Sequence, residues 1–139
     1  MVDESLAATD RAPASARDAL RRRSWERLDA DVFEHLVLVV SELVTNSVLH
    51  AGLADGQAIR LRVVQGADRV RVEVEDDGLG FRFRPLADGC ESRGLLIVAG
   101  LSERWGLESC EPTRVWAELR EPAPPARAGH LHVVPTPAD

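Results

Sequence analysis

Three polar residues spaced by four, Glu42, Asn46 and His50, sit in an otherwise apolar run. On a helix each step of four turns only roughly 40°, so the three form one stripe. Phe33, Leu36, Val37, Leu38, Val39, Val40, Leu43, Val44, Val48 and Leu49 surround them. A helix apolar on nearly all sides belongs in a core. A carboxylate, an amide and an imidazole placed there need partners. One reading is a set of satisfied polar groups, such as a capping contact and a salt bridge. The other is a row of groups lining a pocket for an ion or a charged ligand.

Two further stretches carry chemical possibilities. Asp76-Asp77-Gly78-Leu79-Gly80 closes a strand pattern with an acid and two glycines spaced by two. Asp-Gly pairs often only make turns. In a pocket the glycines let backbone approach a ligand closely, and the carboxylate accepts from an exocyclic amine. Ser92-Arg93-Gly94-Leu95-Leu96-Ile97-Val98 opens a short helix. Ser92 suits its cap. Free N–H groups and the helix dipole favour phosphate there, and Arg93 adds a charged donor. Taken singly, an ordinary capped helix outweighs a phosphate site.

These stretches need a scaffold. Residues 1–12 are mixed and acidic, and Ser5-Leu6-Ala7-Ala8-Thr9 suits an edge strand or a disordered lead. Residues 14–28 read as a helix, with Pro13 at its start and Leu20, Trp25 and Leu28 on one face. Arg17, Arg21, Arg22 and Arg23 on it read as a solvated face rather than a nucleic-acid patch. Asp29 or Asp31 can cap the second helix, which runs to about His50. His35 within it reads as a buried, satisfied histidine. Residues 51–56 form a loop. Ile59, Leu61, Val63 and Val70, Val72, Val74 then alternate with charged residues across Gly66-Ala67-Asp68, which predicts a hairpin. Residues 81–91 lack any period and read as a mobile loop. Residues 94–101 read as a short apolar helix, and 104–109 with 114–119 as a second hairpin turning at Pro112. From Glu121 the chain turns Pro- and Ala-rich, the composition of a disordered tail. The order predicts an α+β, two-layer fold with helices on one face of a mostly antiparallel sheet. The expected division is a lead at 1–12, one domain at 13–121 and a tail at 122–139.

The 139 residues suffice for one domain with a real core. No apolar run reads as long enough to span a bilayer, and no secretory pattern opens the chain. The expectation is a soluble, cytoplasmic protein without a membrane partner. The net charge of −6 argues against general nucleic-acid affinity. All 17 basic residues are Arg, a bias that suggests a GC-rich, bacterial genome. Cys90 and Cys110 have no metal-binding spacing and read as reduced thiols.

Taken together, the order and spacing of the three stretches resemble the GHKL superfamily of ATPases and kinases. The resemblance covers roughly residues 14–119, and it points to the small anti-sigma factor serine/threonine kinases of bacteria. Glu42-Leu43-Val44-Thr45-Asn46-Ser47-Val48-Leu49-His50 is similar to the N box of that branch. Asp76-Asp77-Gly78-Leu79-Gly80-Phe81 is similar to the G1 box, and Arg93-Gly94-Leu95-Leu96-Ile97-Val98 to most of the G2 box. Arg114-Val115-Trp116-Ala117-Glu118-Leu119 is similar to the last strand.

The resemblance implies a Bergerat-type sandwich that binds ATP with Mg²⁺. It makes Asn46 the Mg²⁺ ligand and Glu42 the catalytic base. His50, Asp76, Gly78, Gly80, Arg93, Gly94 and Leu95 become nucleotide-binding positions, with Asp76 accepting from the adenine amine. Residues 81–93 become a lid. The implied partners are a sigma factor or similar regulator, an anti-sigma antagonist protein that receives the phosphate, and a second copy in a homodimer. Two departures stand out. Ser92 occupies a position usually Gly, and Pro112-Thr113-Arg114 replaces a Gly-x-Thr type turn. Side chains there restrict closure or crowd a phosphate, which leaves room for binding with slowed transfer. A catalytically silent binding module of the same fold is therefore the alternative. A sensor-kinase catalytic domain ranks third, because no phosphoacceptor-histidine helix pair precedes the boxes.

Overall fold

A computed structural model of the chain describes residues 1–50, 57–76, 93–108 and 113–121. The elements in order are β1 (Val2–Ala7), α1 (Ala12–Arg21), α2 (Ala30–His50), β2 (Ala58–Gln65), β3 (Arg69–Asp76), α3 (Arg93–Leu101), β4 (Arg104–Glu108) and β5 (Thr113–Arg120). The five strands form one sheet in the order β1-β2-β3-β5-β4, and every neighbouring pair is antiparallel. This is the expected α+β sandwich, with helices on one face. Ser5 to Ala7 belong to an edge strand, paired to β2 from Val2↔Val63 to Ala7↔Ala58.

Strand alternation sets the two faces. Ile59, Leu61, Val63, Val70, Val72, Val74, Val115, Ala117 and Leu119 turn inward and are buried. Leu20 of α1 and Leu36, Val40, Leu43 and Val44 of α2 close over them. The outward residues are almost all charged. Arg60 pairs with Asp3, Arg62 with Glu73, and Arg114 with Glu75 and Glu108. Glu118 accepts from Arg69, Arg71 and Arg104 together.

Asp29 caps α2. Its Oδ1 accepts from the N–H groups of Asp31 at 2.8 Å and Val32 at 3.4 Å, and its carbonyl accepts from Phe33 N–H. Three expectations need correction at the level of the fold. The first helix ends at Arg21 and does not run on to Leu28. Trp25 instead folds back, its indole Nε1 donating to the Leu20 carbonyl at 3.0 Å, and the chain turns at Arg27 with φ of 56°. His35 is exposed, because the stripe Glu34, His35, Leu38 is the side of α2 that faces neither sheet nor helices. Ala30–Leu49, with mean hydropathy 1.5, is by length and composition apolar enough to cross a membrane; half of it is buried as the core helix of this fold. The loop at 51–56, the mobile loop and lid at 81–92, Cys90, Cys110, Pro112 and the tail at 122–139 lie outside the described residues.

Candidate functional site at one end of the sheet

The path of α2 decides where its polar stripe lies. Gln65, at the β2–β3 hairpin, donates through Nε2 to the Glu26 carbonyl at 2.8 Å, so α2 begins at the hairpin end. Its 21 residues span about 30 Å. That length carries Asn46 and His50 to the opposite end, where β2 begins and β3 finishes. Asp76 is the last residue of β3 and stands opposite Ile59 and Thr113 in register. The third helix ends toward the hairpin end. Its last turn leads into Glu103, whose N–H donates to the Glu118 carbonyl nearer the hairpin end, and the helix packs against α2. The C-terminal turns of α2 and the end of β3 thus lie at the same end of the sheet.

Burial gives this end of the sheet a chemical character. Asp76 is 3% exposed and Asn46 8% exposed. Asp76 has a polar or ionic contact and is not free. The Nδ2 of Asn46 is buried and has no hydrogen-bonding partner among the described residues. Leaving such a donor unmatched costs about 1–3 kcal/mol, so it is a group prepared for an acceptor. Val40, Leu43, Val44 and Ser47 are buried around it and fix the rotation of the helix. Glu42, one turn earlier on the same stripe, is half-buried with no hydrogen-bonding partner among the described residues. The set fits a nucleotide. A carboxylate suits an amine, the open Nδ2 donor suits a phosphate oxygen, and a helix start suits an anion.

The backbone places His50 as the last residue of α2 and Arg93, Gly94 and Leu95 in the first turn of α3; their side chains lie outside the described ones, as do Gly78, Gly80 and Ser92 altogether. The expectation that Arg114 crowds a phosphate is also corrected. Arg114 lies on the outward face of β5, with Nη2 2.6 Å from Glu75 Oε2, because Val115 beside it takes the inward position. It does not approach the helix-covered face where the site lies. Thr113, opposite Asp76 in register, is the neighbour that the sequence pattern passed over except as part of a departure.

With this geometry in place, the comparisons are consistent. The family model described as histidine kinase-like ATPase domain matches residues 5–119. The chain belongs to this family, within the GHKL superfamily, whose domains bind ATP. Among solved structures it is similar to the histidine kinase domain of the blue-light-activated histidine kinase of Erythrobacter litoralis EL346, with TM-score 0.51 and 26% identity. The match covers 64% of this chain and 44% of that one, so the chain spans less than half of its length. No curated protein matches.

Proposed function

We propose that this chain is an ATP-binding regulatory serine/threonine kinase of the anti-sigma factor type, working in the cytoplasm. It transfers the γ-phosphate of ATP to a small antagonist protein and sequesters a sigma factor or similar regulator. The observation that carries the nucleotide reading is the buried, unmatched Nδ2 donor of Asn46, with a second buried polar group, Asp76, at the end of β3. Asp76 accepts from the adenine amine. Asn46 offers one oxygen to Mg²⁺, a hard cation that takes its other ligands from phosphates and water. Gly78 and Gly80 leave space at the adenine end, and His50, Arg93, Gly94 and Leu95 line the phosphate end. Glu42 takes the proton of the attacking hydroxyl, a role open to a half-buried carboxylate that no other described side chain engages.

The alternative is a nucleotide-binding interaction module of the same fold without transfer. Ser92, where a hinge glycine is usual, favours it. Two measurements decide. Calorimetry with ATP, with and without Mg²⁺, should give Mg²⁺-dependent binding; no heat with any adenine nucleotide would sink both readings. Radiolabelled ATP should label a co-purified antagonist on Ser or Thr. Binding without any transfer, in wild type and in Ser92→Gly, leaves the module.

A further inference from the structure

Behind the end of the sheet that carries Asp76, the outward face holds a row of alternating charges. Asp3 of β1, Arg60 of β2, Glu75 of β3, Arg114 of β5 and Glu108 of β4 cross all five strands. Arg60 lies 2.8 Å from Asp3. It also stands opposite Glu75 in register and feels its charge. Arg114 ties the remaining strands. Its Nε and Nη2 lie 2.7 and 2.6 Å from one oxygen of Glu75, and its Nη1 lies 3.2 Å from Glu108. One guanidinium thus spans β3, β5 and β4.

The position of this fork gives it a consequence for the site. Glu75 precedes Asp76, and Arg114 follows Thr113. Asp76 ends β3 and Thr113 opens β5, opposite each other in register. The ends of strands open more easily than their centres. Successive residues of a strand point to opposite faces, so a clamp on Glu75 from outside fixes the backbone from which Asp76 projects inward. A carboxylate that reads a single amine has to be held to about 0.5 Å. The clamp is suited to that, because the Glu75 side chain is only 14% exposed and a sheltered pair is screened less than an open one.

We propose that Arg114 is a positioning residue for adenine recognition: from the outer face it clamps Glu75 and Glu108, and so holds the Asp76 carboxylate where it meets the nucleotide's amine. The proposal rests on the nucleotide reading of Asp76. Arg114 itself touches no nucleotide.

Competition binding on the full chain tests it, with ATP and with purine riboside triphosphate, which lacks only the exocyclic amine. The wild type should prefer ATP. Arg114→Met should cut that preference about threefold to tenfold, by weakening ATP and leaving the analogue nearly unchanged. Glu108→Gln removes one arm of the fork at a position 45% exposed. It should cut the preference in the same direction with an unchanged circular dichroism spectrum. Arg104→Met breaks a 2.6 Å pair to Glu118 toward the hairpin end and should leave the preference as in wild type, whatever it does to Tm. A charged row that served stability alone would instead weaken both nucleotides equally. If Arg114→Met does not fold, Glu108→Gln and Arg104→Met decide. An unchanged preference in Arg114→Met and Glu108→Gln overturns the proposal, as does an equal loss of preference in Arg104→Met. Failure of the nucleotide reading looks different, because the wild type itself then binds neither nucleotide or does not distinguish them, and the proposal falls with it.

Discussion

Gly106 lies flat beneath the indole of Trp116. A β-carbon at 106 would stand 2.8 Å from the indole Nε1 and 2.9 Å from two ring carbons. The indole is not free to move aside, because Arg71 stacks on it with its guanidinium carbon 4.5 Å from the ring centroid. Arg71 in turn is tied to Glu73 and Glu118. One glycine on the shortest strand thus seats the aromatic residue that anchors the charged lattice.

Gly106→Ala should therefore destabilise the domain by about 1–3 kcal/mol, the usual cost of overpacking. For a domain of this size that is a fall in Tm of roughly 3–10 °C. Adding Trp116→Leu, which removes the ring from above position 106, should restore part of the loss. Thermal melts of the single and double variants check both.

Much of this fold was legible in the sequence because its faces alternate cleanly. Val70, Val72 and Val74 against Arg71, Glu73 and Glu75 define a strand with one wet face without reference to any partner. The candidate stripe Glu42–Asn46 was legible for the same reason, since helical period alone puts both on one side. The end of α1 was not, because Trp25 keeps helical spacing while its indole binds Leu20 from a non-helical chain. The exposure of His35 was not, because an unbroken apolar run does not say which side of the helix lacks a neighbour. The position of Arg114 followed only from the register of β5 against β3. The joining of three arginines on Glu118 depends on β3 pairing with β5, and Arg69 and Arg71 lie 49 and 47 residues from Glu118 in sequence.

Glu118 should give stability a pH dependence. Burial pushes its carboxyl pKa up, but hydrogen bonds from Arg104 and Arg71, the charge of Arg104 and a further bond from Arg69 outweigh this and hold it below its ordinary value of 4.5. A folded-state pKa below the unfolded one means the contribution is complete above pH 4.5 and is lost as pH falls through the folded value. Asp3, bonded to Arg60, acts in the same direction at the exposed edge. Glu118→Gln should lower stability at neutral pH by about 1–3 kcal/mol and flatten the acid limb of the Tm–pH curve. An unchanged acid limb would show that other carboxylates govern it.

Asp29 supplies the first turn of α2 with its side-chain acceptor. Asp29→Ala should cost about 1 kcal/mol, and Asp29→Ser or Asp29→Asn much less, since both retain a capping oxygen. Denaturant unfolding should show the midpoint shifting with an unchanged slope. The site residues lie at the other end of the helix, so ATP affinity should be unaffected in Asp29→Ser.

Asp76, Asn46 and Glu42 should separate binding from transfer. Asp76→Asn replaces an acceptor-only carboxylate with an amide that also presents donors, and should abolish recognition of the adenine amine. Asn46→Leu removes the unmatched buried amide, so it should keep or raise Tm without nucleotide while losing Mg²⁺-dependent ATP binding. Glu42→Gln keeps shape but cannot take a proton. Its ATP affinity should stay within about threefold of wild type while transfer to the antagonist falls about 10²-fold or more. Calorimetry and radiolabelled transfer on the same preparations read the two effects apart. Equal transfer by wild type and Glu42→Gln would remove Glu42 from the role of base, whatever the affinity. Loss of binding in Glu42→Gln would instead place that carboxylate among the nucleotide's ligands.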